Sequence, residues 1–200
     1  MRFSGTFLGW AVVAAVSALL AGGATASASS ASTPPASCDG WMMYMPNASF
    51  EAAPDGTAVP NWCTEGPDTK GVDRNAGIAH SMANDAYIEA RSTTQWNALT
   101  QNIVVPTCRT LDLSAFVWTS SNVTAGYFGV RAYPSVTPYK ETKFGPLSNG
   151  YQQLSVRFAS RCTPDDLIHP GPVTYTAFVG FWSPGGFSWL MADDFATALP

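Results

Sequence analysis

The sequence predicts an all-β fold, a jelly-roll β-sandwich of the galactose-binding-like kind, on three observations. Charged residues make up only 12% of the chain and aromatic residues another 12%, a balance that suits a β-rich extracellular domain. Short runs of β-branched and aromatic residues recur with turn residues between them. No segment carries a helical period with caps, and no internal repeat is present.

The first residues read as a targeting segment. Arg2 gives a positive start, residues 7–20 form a short apolar run, and Ala26-Ser-Ala28 is a small-x-small cleavage signal. The run is too short and too rich in small residues to make a stable membrane span. Residues 1–28 are therefore expected to be a signal peptide, and the mature chain to be secreted. Residues 29–37, made of Ser, Ala, Thr and Pro, read as a flexible tail. Residues 38–200 have the length of one domain with one sizeable core.

Within that domain, strands are expected over 86–91, 99–105, 111–118, 127–133, 151–158, 173–182 and 187–191, where the pattern alternates. In the third of these, Leu111, Leu113, Ala115 and Val117 share one face; Asp112, Ser114, Phe116 and Trp118 take the other. Connections over 54–71 and 134–149 are rich in Pro, Gly, Asp and Thr and are expected to be ordered loops, the first pinned by Cys63. The closing strand is expected to break on Asp193-Asp194.

The formal net charge is −4 and becomes −5 when Arg2 leaves with the signal peptide. Such a weakly acidic surface argues against nucleic acid and anionic membranes as partners. Cys38, Cys63, Cys108 and Cys162 fit two disulfides in an oxidising compartment. Three pairings exist, and Cys38–Cys63 with Cys108–Cys162 is preferred because each joins neighbouring strands or their loops. A zinc site is the competitor, but no C-x-x-C spacing is present and only His80 and His169 are available. Adjacent Asp193 and Asp194 repel unless a cation, a salt bridge or water faces them. Were Glu51 brought beside them, three carboxylates would suit a hard cation such as calcium; otherwise the acids simply face water at a strand end.

Five segments, in order, resemble carbohydrate-binding modules of the family 4/9 and family 22 type. Asn47-Ala-Ser-Phe-Glu51 is similar to their N-x-x-F-E opening, and Pro60-Asn-Trp62 to the Trp that follows it. Ala79-His-Ser-Met82 resembles an A-H-S-G turn, with Met in place of Gly. Thr110-Leu-Asp-Leu-Ser-Ala-Phe-Val-Trp118 resembles a Y-T-L-S-F-W-V-K strand, and Ala192-Asp-Asp-Phe195 a closing I-D-D-V. The resemblance implies a jelly roll with a structural calcium held by Glu51 and Asp194, with Asp193 and the backbone near Asn47 as further ligands. It also points to Arg91 and Trp96 as residues lining a glycan cleft.

Sugar recognition needs flat aromatic faces for the C–H side of a pyranose and planar polar groups for its hydroxyls. Trp96 and Arg91 meet that need beside a strand, and Gln101, Arg131 and Gln153 are candidates for a polar floor. Trp182 and Tyr133 are the next aromatic candidates, whereas Trp62, Trp118 and Trp189 read as packing. For catalysis, Glu65, Asp85, Glu89, Glu141, Asp165 and Asp166 are available, but no two form a recognisable pair, and no E-x-D-x-x-E strand or G-x-S-x-G elbow occurs. The expectation is a secreted, monomeric, non-catalytic protein that binds poly- or oligosaccharide on a concave sheet face. The alternative is a structural sandwich with a protein partner, and a glycan-active hydrolase or lyase comes third.

Overall fold

Period-2 alternation decides which side chains turn inward, and the computed structural model, which describes residues 38–52 and 59–200, sets those faces against each other. In chain order the elements are β1 (Asp39–Met42), β2 (Cys63–Glu65), β3 (Thr69–Arg74), β4 (Asn84–Ala90), β5 (Thr93–Pro106), β6 (Thr110–Thr119), β7 (Gly126–Ala132), β8 (Pro138–Phe144), β9 (Gln152–Ala159), α1 (Pro164–Ile168), β10 (Pro172–Pro184) and β11 (Ser188–Ala198). One sheet runs β1-β5-β10-β7-β8, with β2 also paired to β5; the other runs β3-β4-β11-β6-β9. The β1–β5 pairing is parallel and the rest are antiparallel. The sandwich is that expected of the sequence.

The inner face of β5 supplies Leu99, Ile103 and Val105, and that of β10 supplies Tyr175, Ala177, Val179 and Phe181. Leu111, Leu113, Ala115 and Val117 of β6 face them with Leu190 and Ala192 of β11. Each large apolar side chain so buried contributes about 1.5–3 kcal/mol relative to exposure. Phe50, Trp62 and Phe195 cluster with tilted rings, centroids 5.2 Å apart for Phe50–Trp62 and 4.5 Å for Trp62–Phe195. Trp62 is thus core, and its Nε1 donates to the Asn47 carbonyl at 3.1 Å.

Cys38–Cys63 and Cys108–Cys162 are disulfide-bonded, the preferred pairing, and all four cysteines are used. No helix among the described residues is long and apolar enough to cross a membrane. The expected signal peptide and tail, residues 1–28 and 29–37, lie outside the described residues.

Several local expectations are corrected. The supposed loops over 54–71 and 134–149 contain β2, the start of β3 and all of β8. These strands are short or charged, so they carry no apolar alternation. β11 does not stop at Asp193-Asp194: it bulges between Asp193 and Ala196, with Asp194 at φ 50°, and continues to Ala198. The five-residue α1 escapes periodicity, although Thr163 and Asp166 form a capping box with Pro164 in the first turn.

Candidate functional site

Outward-facing residues of the first sheet build a cleft of about 500 Å³. Alternation places Trp96 on the outer face of β5, Phe178 and Trp182 on that of β10, and Tyr127 and Arg131 on that of β7. Trp96 and Trp182 are cross-strand partners, with ring centroids 5.7 Å apart and planes inclined by 52°. Trp182 is 48% exposed, whereas Phe178 is buried beneath them. Small residues keep the floor low between the rings. A Cβ on Gly180 would meet the Asn97 carbonyl of β5 and sit 2.8 Å from the Trp96 ring, so a larger residue there would disturb both the strand and the ring.

The polar part is an ion pair set among these rings. Arg131, only 6% exposed, donates from Nη1 to Glu65 Oε1 at 2.5 Å, and Trp96 Nε1 donates to Glu65 Oε2 at 2.7 Å. The guanidinium lies 4.6 Å from the Phe178 ring centroid and 6.0 Å from that of Trp96. Its Nε is buried and makes no hydrogen bond. Glu141, on β8, and Pro138 and Val136 complete one wall. The arrangement offers aromatic faces and a fixed fork of N–H donors.

Glu65 is set by a small network. Gly66 takes φ +85° at the turn into β3, pressed on the Trp96 carbonyl where a side chain has no space. Lys70 Nζ donates to the carbonyls of Gly66 and Asp68, each at 2.8 Å, and to Asn97 Oδ1 at 2.7 Å. Burial lowers the Lys70 pKa, opposed by the charges of Asp68 and Glu65.

The sequence-predicted residues divide. Trp96, Arg131 and Trp182 come together in the cleft. Gln101 does not: at 1% exposure it points inward with Leu99 and Ile103 and donates to the carbonyls of Pro46 and Asn61 at 2.9 and 2.8 Å. Gln153 lies on β9 of the other sheet, opposite Phe116. Arg91 follows β4 and packs its guanidinium 4.6 Å from the Phe187 ring centroid, away from the cleft lining. Tyr133 is exposed and does not line the cleft. Tyr127, Phe178 and the paired role of Glu65 were not read from the sequence. The first two share the outward phase of Arg131 and Trp182, a legible signal; the third depends on β2, which has none.

A second cluster lies at the bulge in the middle of β11. A ring nitrogen of His80, an Asp193 oxygen and an Asp194 oxygen fall within 4.8 Å of one another. Asp194 accepts from His80 at 2.7 Å and from the Ser81 hydroxyl at 2.8 Å, while Asp193 accepts from the Ser81 and Asp194 amides. Burial raises the Asp193 pKa to about 7, opposed by the Ser81 amide and aided by Asp194. Glu51 is not in this trio. Its Oε1 accepts from the Ala83 and Asn84 amides at 3.0 and 2.8 Å, and Asn47 Oδ1 accepts from the Ala52 amide. Residues 80–84 thus link Glu51 to Asp193 and Asp194. Carboxylates of this kind fit a hard cation, whereas the imidazole does not.

No protein-family model matches the chain, and no curated protein does. Solved structures do share its fold. A family 61 carbohydrate-binding module, TmCBM61, in complex with β-1,4-galactotriose, is 15% identical over 78% of this chain and 98% of its own, with a TM-score of 0.56. The Stig cyclase Fisc from Fischerella sp. TAU is 14% identical over 78% and 95%, with a TM-score of 0.59. A cyclase from the same source in complex with 4-(1H-indol-3-yl)butan-2-one is 13% identical over 78% and 95%, with a TM-score of 0.58. The fold is therefore that of carbohydrate-binding modules and, equally, of cyclases. This corrects the expectation that the chain is not an enzyme: enzymes fit the sandwich as closely as a binding module does, so a missing glycosidase-like motif excludes no catalysis.

Proposed function

We propose that the chain is a secreted carbohydrate-binding protein of the family 4/9 and 22 type that holds a poly- or oligosaccharide in the cleft of its first sheet. The observation that carries this reading is the pairing of Trp96 and Trp182 across β5 and β10, beside the buried Arg131–Glu65 pair. Rings stack on the C–H face of a sugar while guanidinium N–H groups meet its hydroxyls. The two disulfides and the leader-like residues 1–28 support secretion. The test is a glycan array with pull-downs on insoluble cellulose, xylan and β-1,4-galactan. Retention of the wild type on at least one, lost in Trp96→Ala, is expected; no retention on any overturns the reading.

A second reading rests on the apolar share of the same lining, where Phe178, Val136 and Pro138 join the tryptophans. A cleft of that kind also takes a small aromatic molecule, the class that one neighbouring cyclase holds. Titrating 4-(1H-indol-3-yl)butan-2-one by calorimetry separates the two readings.

Calcium belongs to the proposal as a structural ion. Glu51 and Asp194 would hold it, with Asp193 and the Asn47 backbone alongside, and it would tie the turn before β2 to the last strand. His80 would leave Asp194 when it binds.

A further inference from the structure

We infer that Glu65 is a positioning residue of the cleft, held in place by the Cys38–Cys63 disulfide, so that the bridge governs ligand grip as well as stability. The inference rests on the cleft being the glycan site. Glu65 spends both carboxylate oxygens on cleft groups, Oε2 on Trp96 Nε1 at 2.7 Å and Oε1 on Arg131 Nη1 at 2.5 Å. It thereby fixes the plane of the aromatic platform and the direction of the fork together. Among the described residues no other side chain holds the Trp96 Nε1–H.

Glu65 ends a strand of only three residues, paired to β5 through Cys63↔Thr100 and Glu65↔Ala98. So short a ladder needs support at both ends. On one side stands the bond from Cys63 to Cys38 at the start of β1; on the other, the buried Lys70 ammonium grips the Gly66 carbonyl. The disulfide lies two residues from the carboxylate that arranges the cleft, and it closes a loop of 25 residues that includes the turn before β2. Cutting it releases the N-terminal end of β2 while the Lys70 anchor and both sheet centres remain.

The chemistry demands a carboxylate. Both partners are donors, and Gln can offer them one oxygen, its NH₂ facing the other donor. Asp, one methylene shorter, cannot reach both.

The test uses the mature protein and variants Glu65→Gln, Trp96→Phe, the pair combined, and Cys38→Ser/Cys63→Ser. Readouts are pull-down on cellulose, xylan and β-1,4-galactan, the ¹H–¹⁵N resonance of the Trp96 indole, and thermal melting. Glu65→Gln should weaken retention about tenfold, the scale of losing a charge-assisted hydrogen bond. It should also shift the indole resonance in the sugar-free protein. In the Trp96→Phe background, which keeps a ring but lacks the N–H, the loss on Glu65→Gln should shrink. The Cys38→Ser/Cys63→Ser variant should show the same indole shift and weakened retention below its melting temperature. Unchanged retention and indole resonance in folded Glu65→Gln overturns the inference and leaves the cleft reading standing, as does a serine variant with a native indole resonance. If the wild type is retained on none of the three glycans, the cleft reading fails and the inference with it. If Glu65→Gln does not fold, the serine variant and the reduced wild type decide by the same two readouts.

Discussion

Trp96 and Asp85 show how a single side chain can be read in two ways. Trp96 is held by Glu65 and packs against Trp182, Tyr127 and Phe178, yet it lines an open cleft. Trp96→Ala should therefore weaken glycan binding by about 1–3 kcal/mol, in line with a truncated interface aromatic, while the protein stays folded. Calorimetry beside a thermal melt checks both halves. Asp85, on the outer face of β4, is 1% exposed, with Oδ1 unpartnered and Oδ2 accepting from the Tyr151 hydroxyl. Burial raises its pKa to about 6, the Tyr151 hydrogen bond opposing and Asp73 adding to the rise. A folded-state pKa above the unfolded value means that the unfolded chain releases its proton first. This contribution to stability is thus full below about pH 4 and falls as pH climbs through 6. Asp85→Asn keeps an acceptor for Tyr151 without the charge. It should stabilise the fold at pH 8 by on the order of 1–3 kcal/mol, read as a higher melting temperature, and flatten the stability profile between pH 5 and 8.

Among the elements, long strands were legible and short ones were not. β5, β6, β10 and β11 carry sustained alternation against a core, so period alone finds them. β2 is three residues long and β8 is charged, and both take their place from neighbours across the sheet. The cleft was half legible for the same reason. Trp96, Arg131 and Trp182 sit in the outward phase of readable strands, but Glu65 reaches the site through β2. Gln101 was misassigned although its phase, two residues from Leu99 and Ile103, marks it as inward. Its amide ties the Pro46 and Asn61 carbonyls. Gln101→Ala should then destabilise the fold by about 1–3 kcal/mol through unpaired buried carbonyls and leave glycan binding of the folded protein unchanged. A denaturant melt with a pull-down separates the two effects. The disulfides join elements too. Cys108–Cys162 spans 54 residues against 25 for Cys38–Cys63, so loop entropy assigns it the larger stabilisation, about 4 kcal/mol against about 3.5. Paired serine variants should melt in that order.

For the whole molecule, the segment after β1 and the last strand meet near the acidic cluster. The Phe195 amide donates to the Ala48 carbonyl, and Thr197 Oγ1 to the Met43 carbonyl, so β11 already holds the segment after β1. An ion bound there would bind only the folded state, and millimolar calcium should raise the melting temperature relative to chelator. Identical melts would remove the ion from the proposal. The motifs that resemble binding modules include Glu51, His80, Ser81, Asp193 and Asp194, but not their contacts: His80 and Ser81 bond to Asp193 and Asp194, while Glu51 bonds to the Ala83 and Asn84 amides. The border of the first sheet matters in a different way. β8 exposes Lys140, Glu141 and Lys143 along an outer strand whose far side has no partner strand among the described residues of the sheet. A strand from another copy adding there would have to strip water from two ammonium groups and a carboxylate. Copies crowded together on one insoluble polymer should therefore stay separate, and a dense coat of this protein should wash off as single chains and leave no fibrils.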